Sequence, residues 1–588
     1  MPRSVLLLAL AALAACSSGE RAFEVGPPRL ADARAAPGSI AFEDSVHALV
    51  VFVRFQDDTA DLPEWDVEGA HGLEVVPEWG LDLFKENPAD VTAAMGLSDP
   101  SLSAYFFWQS QGGPGRAHIV TGEVWPRHRG RPHVFTPSRP STGYAAGRGR
   151  GYGYLVQEVL DDLVGEPGFD FGRFDANRDG ELDHLMLIVR RDPAVPVIGG
   201  VAALEGVTNA RVRTRGAPPS LAYPSSRGEV SVDLGSFGSG TINWVGGEHS
   251  VRTLAHEYGH ILLDQGHTTM IEPGGRGPVS NDVPFDVPSG TGAFACQYSR
   301  MCGGGSGRGR PSESSNYDGN LTLSGFELRR LGWADRTVLE DADTTVTLDP
   351  LFGSGDVVLI PLRPGSAGDT LSLESRHRTN AFDAFPPLDY DDPFYGLVYR
   401  DLPTEGLLVT LSHGDPAGPA SRYRYDFVPP SNRLVQAGSR CDGASEGCAS
   451  PYGPWDGDML RSGGATQLSP WTRPNVSGYT FYPDGAEPNW FAVTAVRYTG
   501  RDRELAFDFD ADVRTGAFEV AVDSWMGAET SGTRFSDPVR VLEGVTLRVW
   551  QGAEVAFDGG LEVAPGGRFV CEVEARCTVG GKRVLEVE

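Results

Sequence analysis

Three residues within one short stretch of this chain have the types and spacing for hydrolytic metal chemistry: His256, Glu257 and His260, inside SVRTLAHEYGHILLDQGH from Ser250 to His267. Val251, Leu254, Ala255, Tyr258, Ile261 and Leu262 recur with the period of a buried helical stripe, and Ser250 is available as its N-cap. At about 100° per residue, His256 and His260 fall within roughly 40° of each other, one turn apart, on a face separate from that stripe. Two imidazoles so placed can share one Zn²⁺. Glu257 projects to the side of the pair, where a carboxylate can take a proton from water activated at the ion.

A second stretch suits a different ion. In Asp175-Ala-Asn-Arg-Asp-Gly-Glu-Leu-Asp183, side-chain oxygens stand at Asp175, Asn177, Asp179 and Asp183, with Gly180 at the sharp turn. Alternating hard oxygens of this kind suit Ca²⁺, and Glu181 can add its backbone carbonyl. An EF-hand would place a bidentate Glu at the twelfth position, where this chain has Met186 at the start of an apolar run. The expectation is an EF-hand-like calcium loop leading into a strand.

The elements that must carry these residues read as a mixed α/β region. His47 to Phe55 is an apolar run suited to a buried strand, Ser103 to Gln111 a helix ending at Gly112, His118 to Val124 a strand, Tyr154 to Leu163 a helix and Leu185 to Val189 a strand. After Trp333 short strand patterns alternate with Pro- and Gly-rich loops, including Thr345–Leu348, Val357–Leu362, Leu407–Leu411, Phe491–Val496 and Glu504–Phe509, which suggests a β-sandwich. From about residue 515 alternating strands with spaced glycines suggest a small β-meander or solenoid-like module.

At 588 residues the chain exceeds one core, so about three or four domains are expected. The formal charge of −29 argues against a nucleic-acid partner and is compatible with Ca²⁺ ligation. Arg3, the apolar run Val5 to Ala12 and then Leu13-Ala14-Ala15-Cys16 form a short export signal whose end resembles a bacterial lipobox, with Cys16 as the lipidated mature N-terminus. Ser17 and Ser18, rather than Asp, favour the outer membrane by resemblance to Gram-negative sorting. The other six cysteines form three close pairs, Cys296–Cys302, Cys441–Cys448 and Cys571–Cys577, read as local disulfides outside the cytoplasm.

The order of blocks resembles the M6 family of secreted bacterial metallopeptidases, the immune inhibitor A group. The blocks are ALVVFVRFQDD (48–58), SLSAYFFWQSQGG (101–113), FDFGRFDANRDGELDHLMLIV (169–189), HEYGH (256–260), MCGGGS (301–306) and LTLSGFELRRLGW (321–333). LSLESRH (371–377) with GLLVTLSHGD (406–415) resembles the strand pair that follows the family's catalytic domain. The resemblance spans about residues 45 to 500. It implies a zinc endopeptidase of metzincin-like build, with His256 and His260 as ligands, Glu257 as general base and a methionine turn at Met301.

The chain departs from the family after the second histidine, where the family's Gly and Asp are replaced by Leu263 and Gly266. Asp264 lies two turns beyond His256, about 12 Å along a continuous helix, too far to share the ion. His267 follows Gly266, which can end the helix and turn the chain back, and is the chosen third ligand. Asp264 after a helix break, or a distant Glu272 or Asp282, remain alternatives.

The sequence therefore predicts a multidomain α/β plus β protein: signal peptide 1–16, tether 17–44, metzincin-like zinc peptidase domain 45–335, β-sandwich 336–512 and a β-rich C-terminal module 513–588. The expected function is a lipid-anchored, exported, Ca²⁺-supported zinc endopeptidase, monomeric and acting on protein or peptide substrates. The alternative is an inactive peptidase-fold lipoprotein serving as an adhesion or binding scaffold. A third possibility, an esterase, is weak, because the G-x-S-x-G match from Gly443 to Gly447 does not stand between an apolar strand pattern and a helical pattern as a nucleophile elbow would. The 28 residues between Cys16 and the first strand are too few for a folded inhibitory propeptide, so no autoproteolytic activation is expected.

Overall fold

The structure is a computed structural model that describes residues 45–62, 65, 72–111, 117–144, 153–194, 199–201, 220–233, 239–242, 247–263, 322–362, 370–377, 390–392, 397–399, 406–413, 424–427, 460, 467–472, 489–500, 504–527 and 531–587. It has mixed α/β content, mostly sheet. The chain divides into two compact units, the first comprising residues 1–267, 299–322 and 379–384, and the second the remainder.

The first unit is built on a five-stranded sheet. Its strands are β1 (Ser45–Val53), β2 (Ile119–Val124), β3 (His184–Val189), β4 (Gly199–Val201) and, after a separate hairpin of β5 (Ser220–Ser225) and β6 (Gly228–Asp233), β7 (Ser239–Ile242). Their order is β2-β1-β3-β7-β4, with β4 antiparallel to β7 and the other pairs parallel. An apolar run such as ALVVFV is what a parallel strand covered on both faces requires, and Ala48 to Val53 are all fully buried. Leu49, Val51 and Val53 face one side, where they pack with Leu155, Val156, Val159, Leu160 and Leu163 of helix α2 (Gly153–Leu163). On the opposite side Phe52 meets Trp65 and Trp79 at 5.4 Å. Helices α1 (Leu102–Gln109) and α3 (Gly247–Leu263) pack against each other, α1 beside β2 and α3 against β7 and β4. Gly240 of β7 lies so close to the Leu187 carbonyl that a Cβ there would collide with it, so this strand pair requires a glycine.

The predicted positions of these elements hold to within a few residues. Helix α1 starts earlier than expected, at Leu102, because the Ser101 side chain accepts from the Ala104 N–H, and it ends at Gln109 rather than near Gly112. Helix α3 starts at Gly247, three residues before Ser250, so Ser250 lies inside the helix and is not its N-cap.

In the second unit, β8 (Asp335–Val338), β10 (Asp356–Pro361), β11 (Thr370–Arg376), β12 (Gly406–His413) and β13 (Arg424–Phe427) form one sheet. β9 (Thr344–Leu348), β14 (Ala492–Tyr498) and β15 (Leu505–Asp510) form another. Leu371 and Leu373 of the first sheet share a core with Val346, Val493 and Phe507 of the second, as the expected sandwich demands. Helix α4 (Gly325–Leu331), capped by a reciprocal Ser324–Glu327 box, sets its first N–H on Glu374 of β11.

The C-terminal region is a solenoid and not a meander. Strands stack in parallel, with Val539 beside Leu561, Leu547 beside Phe569 and Val555 beside Cys577, each pair 22 residues apart. A meander would pair neighbours antiparallel. Phe535 and Phe557 stack inside at 5.3 Å, and Trp471 closes the first coil by packing on Phe518 and Phe535. The predicted Cys571–Cys577 disulfide is formed inside the last coil. Cys16, Cys296–Cys302 and Cys441–Cys448 lie outside the described residues. Among the described residues no helix is long and apolar enough to cross a membrane.

Candidate metal centre

Helix α3 carries His256, Glu257 and His260 on one continuous element, as their spacing predicts. Leu254, Ala255, Tyr258 and Leu262 of the expected stripe are buried, while Val251 and Ile261 are half-buried. His256 and Glu257 are buried as well, at 1% and 6% exposure, so the helix is enclosed on more than its apolar side. Of His260 the structure describes the backbone only. Asp264, His267, Glu272, Asp282 and Met301 all lie outside the described residues.

The helix is anchored by Tyr258, the residue after the candidate base. Its hydroxyl is 3.1 Å from Nε2 of His118, and its ring packs edge-on against Phe106 at 4.9 Å and His184 at 4.8 Å. His184, on β3, is wholly buried, which pushes its imidazole down to about 3 and keeps it neutral. Its Nε2 lies 2.8 Å from the Ser239 hydroxyl of β7. One aromatic side chain thereby fixes the rotation of α3 relative to two sheet strands. Tyr258→Ala is expected to cost about 3–5 kcal/mol by leaving a cavity, and Tyr258→Phe about 1 kcal/mol by removing one buried hydrogen bond. Denaturant unfolding of the two variants measures both.

The Asp175–Asp183 loop has the turn chemistry its sequence predicts. Asn177 Oδ1 accepts from the Asp179 N–H, Asp179 Oδ1 from the Glu181 N–H, and Asp175 Oδ2 from the Gly180 N–H. Gly180 takes φ 84°, and Arg178 φ 63°. Asp183 is held by the N–H groups of His47 at 2.8 Å and Ala176 at 3.0 Å. Burial, reinforced by the charges of Asp175 and Asp179, nevertheless pushes its carboxyl up to about 7. Asp175 is buried and its Oδ1 has no hydrogen-bond partner. A buried carboxylate oxygen without a donor, beside a second carboxylate starved of positive charge, fits a hard cation. Among the described residues no three His, Cys, Asp or Glu side chains are already gathered as a metal-ligand group.

Sequence reasoning missed the network that joins this loop to the sheet. His47 stacks on Phe174 at 5.1 Å, and its ring nitrogens lie 2.7 Å from Thr121 Oγ1 and 3.3 Å from Glu123 Oε1. Glu123 also accepts from Arg173 and from Trp125 at 3.2 Å. Burial opposes its ionisation, yet the His47 hydrogen bond and the Arg173 charge hold its carboxyl below the ordinary value. No local pattern marks these residues; the one available signal was a run of polar residues, His47, Thr121 and Glu123, inside otherwise apolar strands. Compared with known proteins, the chain matches no family model and no curated protein.

Proposed function

We propose that the protein is an exported, lipid-anchored zinc endopeptidase of the M6 type, supported by Ca²⁺ at the Asp175–Asp183 loop. The observation that carries this reading is the H-E-x-x-H segment on helix α3, with His256 and Glu257 buried against a mixed sheet. His256 and His260 would hold the ion, completed by His267 or, if the helix breaks early, Asp264. Zinc, when bound, supplies Lewis-acid polarisation of water and of the scissile carbonyl. Glu257 accepts the proton of the attacking water and returns it to the leaving amine. Its low exposure excludes bulk water and strengthens that transfer. Strand β4, outermost in the sheet among the described strands and packed beside α3, is the edge we assign to pairing with an extended peptide.

Metal analysis of the purified mature chain, paired with cleavage of an unfolded protein, tests the proposal. About one zinc per chain and loss of cleavage with a chelator are expected. A chain without stoichiometric zinc and without chelator-sensitive cleavage would instead be a binding scaffold.

A further inference from the structure

The last described coil of the solenoid is covered unevenly. One side of the solenoid is a sheet of β16 (Phe518–Val520), β17 (Val539–Val541) and β18 (Leu561–Val563), stacked in parallel in that order. To the other two sides the same coil contributes β19 (Arg568–Cys571) and β20 (Arg576–Val579), and the chain then folds back over both. β21 (Lys582–Arg583) pairs antiparallel with β20, and β22 (Glu586–Val587) antiparallel with β19. No described strand covers β18, the outer member of its sheet.

The uncovered edge carries unused backbone groups. The Val539 N–H donates to the Gly560 carbonyl at 3.1 Å and the Ala564 N–H to the Val541 carbonyl at 2.9 Å, so Gly560, Glu562 and Ala564 turn their backbone groups toward β17. Alternate residues of a strand face the opposite way, so Leu561 and Val563 each present an N–H and a C=O outward. Among the described residues nothing donates to these groups or accepts from them. The side chains agree. Phe518, Val520, Val539 and Val541, their equivalents in the earlier coils, are at most 3% exposed, whereas Leu561 and Val563 are only half-buried.

Charge decides what kind of strand fits. The central, outward residues of the three strands are Glu519, Arg540 and Glu562, side by side in register. Arg540 Nη1 lies 3.4 Å from Glu519 Oε1, while Glu562 is exposed and has no ion pair among the described residues. A strand that continued this alternation would carry a basic residue between two apolar ones. Two copies of β18 paired about a twofold axis would instead set Glu562 against Glu562, which opposes self-association. Val573 and Leu585, the most exposed large apolar side chains among the described residues at 85% and 54%, belong to the same coil and its covering turn.

We propose that β18 is a docking edge for an extended segment of another polypeptide, which adds a strand there with a basic side chain beside Glu562 and apolar side chains beside Leu561 and Val563. The proposal is independent of the peptidase reading. The probe is a blocked, fluorescently labelled heptapeptide, serine-threonine-valine-arginine-valine-threonine-serine, titrated by anisotropy with the full chain beside its glutamate counterpart. The arginine peptide should bind at least about fivefold more tightly, and Glu562→Arg should reverse the preference. Methylating the amide nitrogens of the valine-arginine-valine triplet should abolish binding, because strand addition needs those N–H groups and simple charge attraction does not. Should Glu562→Arg melt early, Glu562→Gln should still erase the preference. Absence of binding, equal affinity for the two peptides, indifference to the Glu562 variants or binding that survives methylation overturns the proposal. Self-association of the chain that the peptide displaces would assign the edge to a second copy and overturns it as well.

Discussion

Glu257→Gln is expected to retain zinc while losing turnover by about 10²–10⁴-fold, because the amide cannot accept the proton of the attacking water. The substitution preserves shape at a buried position, so its effect falls on chemistry more than on packing. His256→Ala should behave differently and lose zinc together with activity, since fewer ligands hold the ion more weakly. The same contrast identifies the third ligand. His267→Ala should lose zinc, whereas Asp264→Ala should keep it and show only a mild stability effect. Metal content by mass spectrometry, measured beside kcat for each variant, decides the assignment. Zinc retained in His267→Ala and lost in Asp264→Ala would mean that the helix breaks earlier than its periodicity indicates. Zinc lost in Glu257→Gln would make Glu257 a ligand and remove the proposed base.

Calcium is expected to raise the melting temperature more at pH 8 than at pH 5. Asp183, pushed up to about 7 in the folded chain from an ordinary value of 3.8, binds a proton more tightly when folded than when unfolded. In the metal-free protein this contribution is fully present below about pH 4 and is lost as pH rises toward 7. The loss approaches about 1.4 kcal/mol per pH unit within that window. A bound cation takes over the proton's role at the ionised carboxylate, so calcium restores stability where the proton has left and competes poorly where it remains. Thermal melts in millimolar calcium or EGTA at the two pH values measure the difference. Asp175→Ala should lower the melting temperature in calcium and leave EGTA little further effect, because Asp175 holds the buried partnerless oxygen. Identical melting temperatures of the parent with and without calcium at both pH values would remove the ion from this loop.

Both candidate ion sites were readable in the sequence because each is local. His256, Glu257 and His260 are set by the 3.6-residue period of one helix, and the Asp175–Asp183 oxygens by side-chain to backbone bonds spanning two to seven residues. The apolar runs of β1 and β3 also declared strands buried on both faces. Local periodicity carries no information about which distant segments meet. The His118–Tyr258 hydrogen bond joins residues 140 apart, and the His47–Asp183 bond residues 136 apart. Such partners are selected only when whole elements pack and buried polar groups must be satisfied together. The solenoid illustrates the same division. Alternating strands and spaced glycines were evident along residues 541–562, yet parallel stacking at a 22-residue step arises because each coil buries its apolar side chains against the next.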